Sequence, residues 1–172
     1  MSAKAPQAST PGPTGPERPG LDRLDLRILD ALQRQGRLSM TELGERIGLS
    51  TSPVSERVKR LERDGVITGY HARVNPAALG RTLLVFVEIT LSSKSPQVFE
   101  AVRRELQHLP EVLECHLVSG SFDYLVKARL AEMAQYRELL GNILKRIPVP
   151  STSNSYVVME EIKDTTVMAV MG

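Results

Sequence analysis

Near the start of the chain, apolar residues fall at helical spacing three times over, and beyond residue 83 they fall on alternate positions, so the pattern changes from helices to strands partway along. Leu21, Leu24, Ile28, Leu29 and Leu32 form the first stripe; Gln35-Gly36 follows it, glycine suiting the left-handed residue that closes a helix. Ser39, with Glu42 three residues on, has capping-box spacing for a second helix, and Leu43 and Ile47 supply a short stripe that stops at Gly48. After Gly48-Leu49-Ser50, Pro53 sits in the first turn of a third helix, whose apolar positions Val54, Val58 and Leu61 end at Asp64-Gly65. Two short helices across a tight glycine turn, with a preceding helix to cover their apolar faces, form a helix-turn-helix.

Residues 68–79 alternate like a strand around Tyr70 and Arg73, then turn at Asn75-Pro76. In a strand at 83–91, Leu83, Val85, Val87, Ile89 and Leu91 share one face and Leu84, Phe86, Glu88 and Thr90 the other. Ser95-Pro96 opens a helix with Val98, Val102 and Leu106 that ends before Pro110. Residues 112–118 and 124–130 read as strands joined at Ser119-Gly120-Ser121. Met133, Tyr136, Leu140, Ile143 and Ile147 mark another helix, stopped by Pro148 and Pro150, and residues 156–162 read as a last strand. The order β-α-β-β-α-β is that of a ferredoxin-like domain, two helices covering one face of a four-stranded antiparallel sheet. Leu84 and Phe86, with either Tyr156 and Val158 or Val157 and Met159, are then expected in water on the other face. Such a face marks a protein interface, and a symmetric dimer is its simplest cover. Pairing also places two reading helices on one assembly, within reach of DNA half-sites about 34–36 Å apart.

At 172 residues the chain has room for two small modules, and its 41% hydrophobic and 24% charged residues are the balance of a soluble globular protein. No run approaches the length of a membrane span, and the first ten residues carry one lysine and no apolar stretch, so a cytoplasmic address is expected. Residues 1–20 hold five prolines and three glycines but no Val, Leu, Ile or Phe, the composition of a disordered tail. A single cysteine, Cys115, and three histidines without HxxxH spacing exclude a disulfide framework and multi-cysteine zinc or iron-sulfur sites; no metal is expected. Without Trp, and with 4% aromatics, there are few platforms for stacking single-stranded bases. The net charge of +2 is unevenly spread, with ten Lys or Arg against eight Asp or Glu in residues 21–75 and ten against eleven in 76–172.

The third helix concentrates candidate chemistry. Ser50, Thr51, Ser52 and Ser55 put small hydroxyls at its start, where they can approach base edges; Glu56 lies beside them, and Arg57, Lys59, Arg60 and Arg63 can reach phosphates. The plain alternatives are an ordinary exposed face with pairs such as Glu56 and Arg60, or a protein-docking module.

Five segments in fixed order carry a resemblance: LDRLDLRIL (21–29), ERVKRLERDGVITGY (56–70), LLVFVEITL (83–91), ECHLVSGSFDYLVK (114–127) and YVVMEE (156–161). Over residues 21–163 the chain resembles the Lrp/AsnC family of bacterial transcription regulators. The resemblance implies an α+β chain with a winged-type helix-turn-helix domain at 21–75 and a ferredoxin-like effector-binding and oligomerisation domain at 76–172. It further implies dimers joined through their sheets, octamers or larger rings of those dimers, and a free amino acid bound between dimers, leucine being the first candidate. The segment GSFDY at 120–124 matches the family's effector loop, which points to Asp123 for an α-ammonium and the backbone near Gly120 for an α-carboxylate. Met133, Tyr156, Val157 and Val158 match positions where the family's response to effector is altered, with Ser153, Ser155 and His116 as further candidates. Taken alone, Asp123 reads first as a turn residue bonded to its own backbone, and the apolar positions as core. In the segment 147–156, Val149-Pro150 stands where family members commonly have Gly-Val, and Ser153 and Ser155 where they commonly carry threonines, so hydroxyls are retained and a different loop shape is expected there.

Subunits of sirohaem decarboxylase share this two-module architecture, so an enzyme is the competing class, and an amino-acid-sensing subunit docked on an enzyme is a third. The chain has no GxSxG, P-loop or HExxH, and adjacent Cys115 and His116 point to opposite strand faces, so no catalytic residues are expected. The basic polar third helix favours DNA over docking. On this reading Arg57→Ala or Arg60→Ala weakens DNA binding in a titration without disturbing assembly, and reversed phenotypes would show the modules to be wrongly assigned.

Overall fold

The computed structural model describes residues 20–170, which fall into two compact units: residues 73–164, and residues 20–72 together with 165–170. Apart from Gly20, the tail expected at 1–20 lies outside the described residues. The units divide between Ala72 and Arg73, and residues 165–170 lie with the first unit. A two-way amide contact accounts for that grouping: Gln33 donates to the Met168 carbonyl at 3.1 Å and accepts the Met168 N–H at 2.8 Å.

Helices α1 (Arg23–Arg34), α2 (Met40–Ile47) and α3 (Thr51–Arg63) build the first unit. Helix α1 starts at a capping box of two aspartates, in which Asp22 accepts the Leu24 and Asp25 N–H groups while Asp25 accepts the N–H of Asp22. Helix α2 starts at the expected Ser39–Glu42 box and ends at Gly48, whose φ of 79° is left-handed. A Cβ on Gly44 would stand 2.6 Å from the Leu49 carbonyl oxygen, so the absence of a side chain lets the turn fold back closely on α2. Ile28, Leu32, Leu38, Leu43, Ile47, Val54, Val58 and Leu61 form one buried core. Residues 68–75 form no strand, although they alternate: they are exposed and have no ladder partner, and the chain turns instead through a 3-10 segment at Pro76–Leu79.

The second unit runs β1 (Leu83–Leu91), α4 (Pro96–Leu106), β2 (Val112–Leu117), β3 (Tyr124–Leu130), α5 (Met133–Arg146) and β4 (Ser151–Val157). Its antiparallel sheet has the order β2-β3-β1-β4. Val85, Val87, Ile89 and Leu91 of β1 and Tyr124, Val126, Ala128 and Leu130 of β3 pack with Val102 and Leu106 of α4 and Tyr136, Leu139 and Ile143 of α5. This is the α+β arrangement that the alternation predicts.

Two further expectations differ from the structure. The last strand is Ser151–Val157, not 156–162; its helix-side positions Ser151, Ser153 and Ser155 pair with Leu91, Ile89 and Val87, so hydroxyls stand where apolar alternation was sought. Leu84 is 5% exposed and therefore not in water, although it sits on the open face. Its cross-strand partner is Arg129, bonded at 2.7 Å to Glu161, and the Val158 N–H reaches the Leu84 carbonyl. Beside Leu84 the long stem of Arg129 stands where a second apolar layer would lie, while Tyr156 on the same face stays half exposed.

Ile89 is wholly buried at the centre of β1. Ile89→Ala is expected to cost about 2–5 kcal/mol by chemical denaturation, by deleting methylene contacts and leaving a cavity; a change below ~0.5 kcal/mol would contradict this core assignment.

Candidate nucleic-acid interface and effector site

Three buried residues, Val54, Val58 and Leu61, fix the inner side of α3 and so decide which positions face outward. Thr51, Ser52, Glu56, Lys59 and Arg63 are exposed, and Ser55 is half-buried near the start. Ser50 is the N-cap but makes no side-chain cap bond, which leaves its hydroxyl for an outside partner; the Thr51 hydroxyl lies 3.4 Å from that of Thr41 on α2. Lys59 stands 3.5 Å from Glu56, and Arg63 bonds Asp64 at 3.1 Å, both exposed pairs that a phosphate can replace.

Arg57 and Arg60 are placed differently from the free outward cations that the sequence suggests. Both turn to α1, where Asp25 is wholly buried. Arg57 lies 2.8 Å from Asp25 and 2.6 Å from Asp22, and Arg60 lies 2.5 Å from the other oxygen of Asp25. The capping box thus becomes an ion cluster that ties α3 to α1. The Asp22 carboxyl is held below its usual range by the Asp25 N–H and by Arg57, and the Arg57 guanidinium is pushed up by its bonds to Asp22 and Asp25. Removing either arginine disturbs packing as well as charge, so the effect expected from these two substitutions is not confined to DNA contact. Asp25 escaped the sequence reading because an acid in the first turn of a helix is ordinary; the signal was Asp22-x-x-Asp25 opposite Arg57-x-x-Arg60.

The effector candidates divide between two ends of the sheet. At the end where β1 finishes, Asp123 donates its N–H to Ile89, Ser153 pairs with Ile89 from β4, and Gly120 lies in the same β2–β3 loop. At the other end Tyr156 pairs with Phe86 and Val157 with Val85, Val158 follows, and Met133 opens α5 just beyond the end of β3. Along β1 the Asp123 and Ser153 position at Ile89 lies three residues from the Tyr156 position at Phe86 and five from the Val158 contact at Leu84, about 10–17 Å, so one amino acid does not span the whole set. His116 lies between the two ends on the open face, 3.3 Å from Glu114. Ser155 instead faces the helices and takes a hydrogen bond from Tyr136, and the Tyr156 hydroxyl donates to Glu88 at 3.1 Å. One copy of the chain does not assemble these candidates into a single pocket.

Asp123 is almost wholly buried, and neither carboxylate oxygen bonds its own turn. One oxygen accepts the Leu91 N–H at 2.8 Å and the other faces the Lys94 ammonium, also at 2.8 Å. Burial pushes its carboxyl up, but Lys94 and the Leu91 N–H outweigh that and hold it below the usual carboxylate range. Lys94 was not among the sequence candidates, since a lysine in the polar run SSKS reads as loop surface. Among the described residues, no three His, Cys, Asp or Glu side chains gather as a metal site, and no helix is long and apolar enough to cross a membrane.

Comparison with known proteins matches one family to each part of the chain. The winged helix-turn-helix DNA-binding pattern matches residues 21–68, and that of the Lrp/AsnC ligand binding domain matches residues 84–168. The chain is 52% identical to the leucine-responsive regulatory protein of Serratia marcescens over 158 residues, 91% of this chain and 96% of that protein. A transcriptional regulator of Neisseria meningitidis, solved as an L-Met complex, has a TM-score of 0.81 at 34% identity and covers 86% of this chain and 96% of its own. An AsnC family regulator from Agrobacterium tumefaciens has a TM-score of 0.81 at 33% identity, covering 85% and 95%.

Arg63→Ala is expected to weaken DNA binding, reduce the slope of log affinity against log salt by about 1, and leave the melting temperature unchanged. Asp25→Asn is expected to destabilise the protein by ~2–3 kcal/mol, below the loss for fully buried ions because both arginines reach water. Equal thermal stability of the Asp25 variant and the parent protein would contradict the anchoring role.

Proposed function

Because the chain belongs to the Lrp/AsnC family of transcriptional regulators, we propose that it reads specific duplex DNA through α3 and adjusts that reading to a free amino acid bound by its second unit. The observation that carries the DNA half is the outward face of α3: uncommitted Ser50, exposed Thr51 and Ser52 at its start, and Lys59 and Arg63 further along. Hydroxyls at the helix start select base edges, while cations add affinity without sequence preference. Arg57 and Arg60 keep part of their surface open and can add phosphate contacts while anchored.

The effector half rests on Asp123, a fixed carboxylate that already accepts an ammonium group. An α-amino acid offers the same group, and the loop backbone near Gly120 offers donors for its carboxylate. Leucine is the first candidate, given the leucine-responsive relative, and methionine the second, given the neighbour's L-Met complex. Since the candidate positions lie at two ends of the sheet, a second copy is the simplest source of the missing wall. Half-exposed Tyr156 on the open face, and Met133 and Val157 on the helix side, at 51%, 49% and 47%, offer it apolar surface at that end of the sheet. Dimers, and octamers or larger rings of them, follow from this reading, as does a place in the cytoplasm beside the DNA. The amino acid then shifts the balance between assemblies by whichever state it binds better.

Fluorescence titration of a duplex selected from a random pool, against a scrambled duplex, tests the first half. Affinity is expected to fall steeply with salt while the preference survives; equal binding to both duplexes at every salt concentration would remove the proposal. L-Leucine or L-methionine is expected to change that binding in the parent protein, whereas Asp123→Ala binds DNA and no longer responds.

A further inference from the structure

Asp123 holds an ammonium ion before any effector arrives, and that ion belongs to the chain itself. The Lys94 side chain is 54% exposed and its partner carboxylate 6%, so a mobile group from the surface caps a nearly buried charge. Of the two carboxylate oxygens, the one bonded to the Leu91 N–H is committed to the fold, and the other meets Lys94. The aspartate cannot move away, because its N–H is bonded to the Ile89 carbonyl and its carbonyl to the Val118 N–H. The backbone around Lys94 is also pinned: the Ser92 N–H donates to Pro150, and the Ser95 hydroxyl accepts the Val98 N–H at the start of α4. Only the lysine side chain has to turn for the outer oxygen to open, a change on the timescale of exposed rotamers.

From this geometry we infer that Lys94 is a tethered competitor for the effector's α-ammonium at Asp123, and so sets how much free amino acid the protein requires. The inference rests on the effector reading of Asp123. A primary ammonium on a four-carbon stem is chemically the same donor as the α-ammonium of an amino acid, and its tether gives it a high effective concentration at the carboxylate. Effector binds only the fraction of molecules in which the lysine has turned away, so its apparent affinity falls by that fraction. Removing the lysine raises affinity in two ways: it abolishes the competition, and it leaves a poorly hydrated carboxylate in want of a cation.

Calorimetric titration of the full chain with L-leucine and with L-methionine at low salt tests this, using Lys94→Met, Lys94→Arg and Asp123→Asn. Lys94→Met, an exposed change that keeps the length of the stem, is expected to bind about two- to fivefold more tightly than the parent protein. Lys94→Arg, which keeps the charge, is expected to stay near the parent affinity, and Asp123→Asn to lose binding. Unchanged or weaker binding by Lys94→Met, with binding abolished in Asp123→Asn, overturns the competitor and leaves the effector reading standing. Parent-like binding by Asp123→Asn overturns the effector reading and the competitor together, as does failure of every form to bind either amino acid.

Discussion

A carboxylate taken wholly out of water must be matched by charge and hydrogen bonds, and Asp25 meets that demand by drawing Arg57 and Arg60 of α3 across to α1. The apolar contacts of Val54, Val58 and Leu61 press α3 against its neighbours but have little directional preference. Two charged hydrogen bonds, three residues apart on one helix, do have it: they fix rotation about the axis and sliding along it. The hydroxyls of Ser50, Thr51 and Ser52 are presented where they are because the next turns of the same helix are held in register. A cluster first legible as a row of phosphate contacts is therefore also the mount of the reading surface.

The second unit uses the same device. Asp123 is the other buried charged residue among those described, and it ties the β2–β3 loop to the end of β1 through the Leu91 N–H. In the first unit the partners are arginines, always charged and able to bond in two directions, which suits a permanent joint. In the second the partner is one lysine on a flexible stem, which suits an exchangeable one. The choice of cation thus separates an anchor from a latch, although each begins from a buried aspartate.

What the sequence discloses depends on how local the physics is. The start of α2 was legible because Ser39 and Glu42 satisfy each other within one turn, and β1 because its alternation is uninterrupted. Strand β4 was misplaced because its covered side is serine, so its pairing with β1 has no apolar signature. The segment at 68–75 was misread for the opposite reason, alternation without a neighbouring strand to pair with. Outward residues of α3 could be chosen from periodicity, but Asp25 lies 32 residues from Arg57, and a pairing at that distance leaves no trace in either segment alone. The positions inferred from family resemblance are individually present yet stand at two ends of one sheet, a separation that only the strand register reveals.

The coupling between α1 and α3 is open to direct measurement by a double-mutant cycle for folding stability with Asp25→Asn, Arg60→Met and the pair. A buried carboxylate that orients α3 predicts a coupling energy above about 1 kcal/mol, the double variant losing much less than the two single losses combined. Losses that add to within about 0.5 kcal/mol would mean that Asp25 and Arg60 do not hold each other, contrary to the anchoring account.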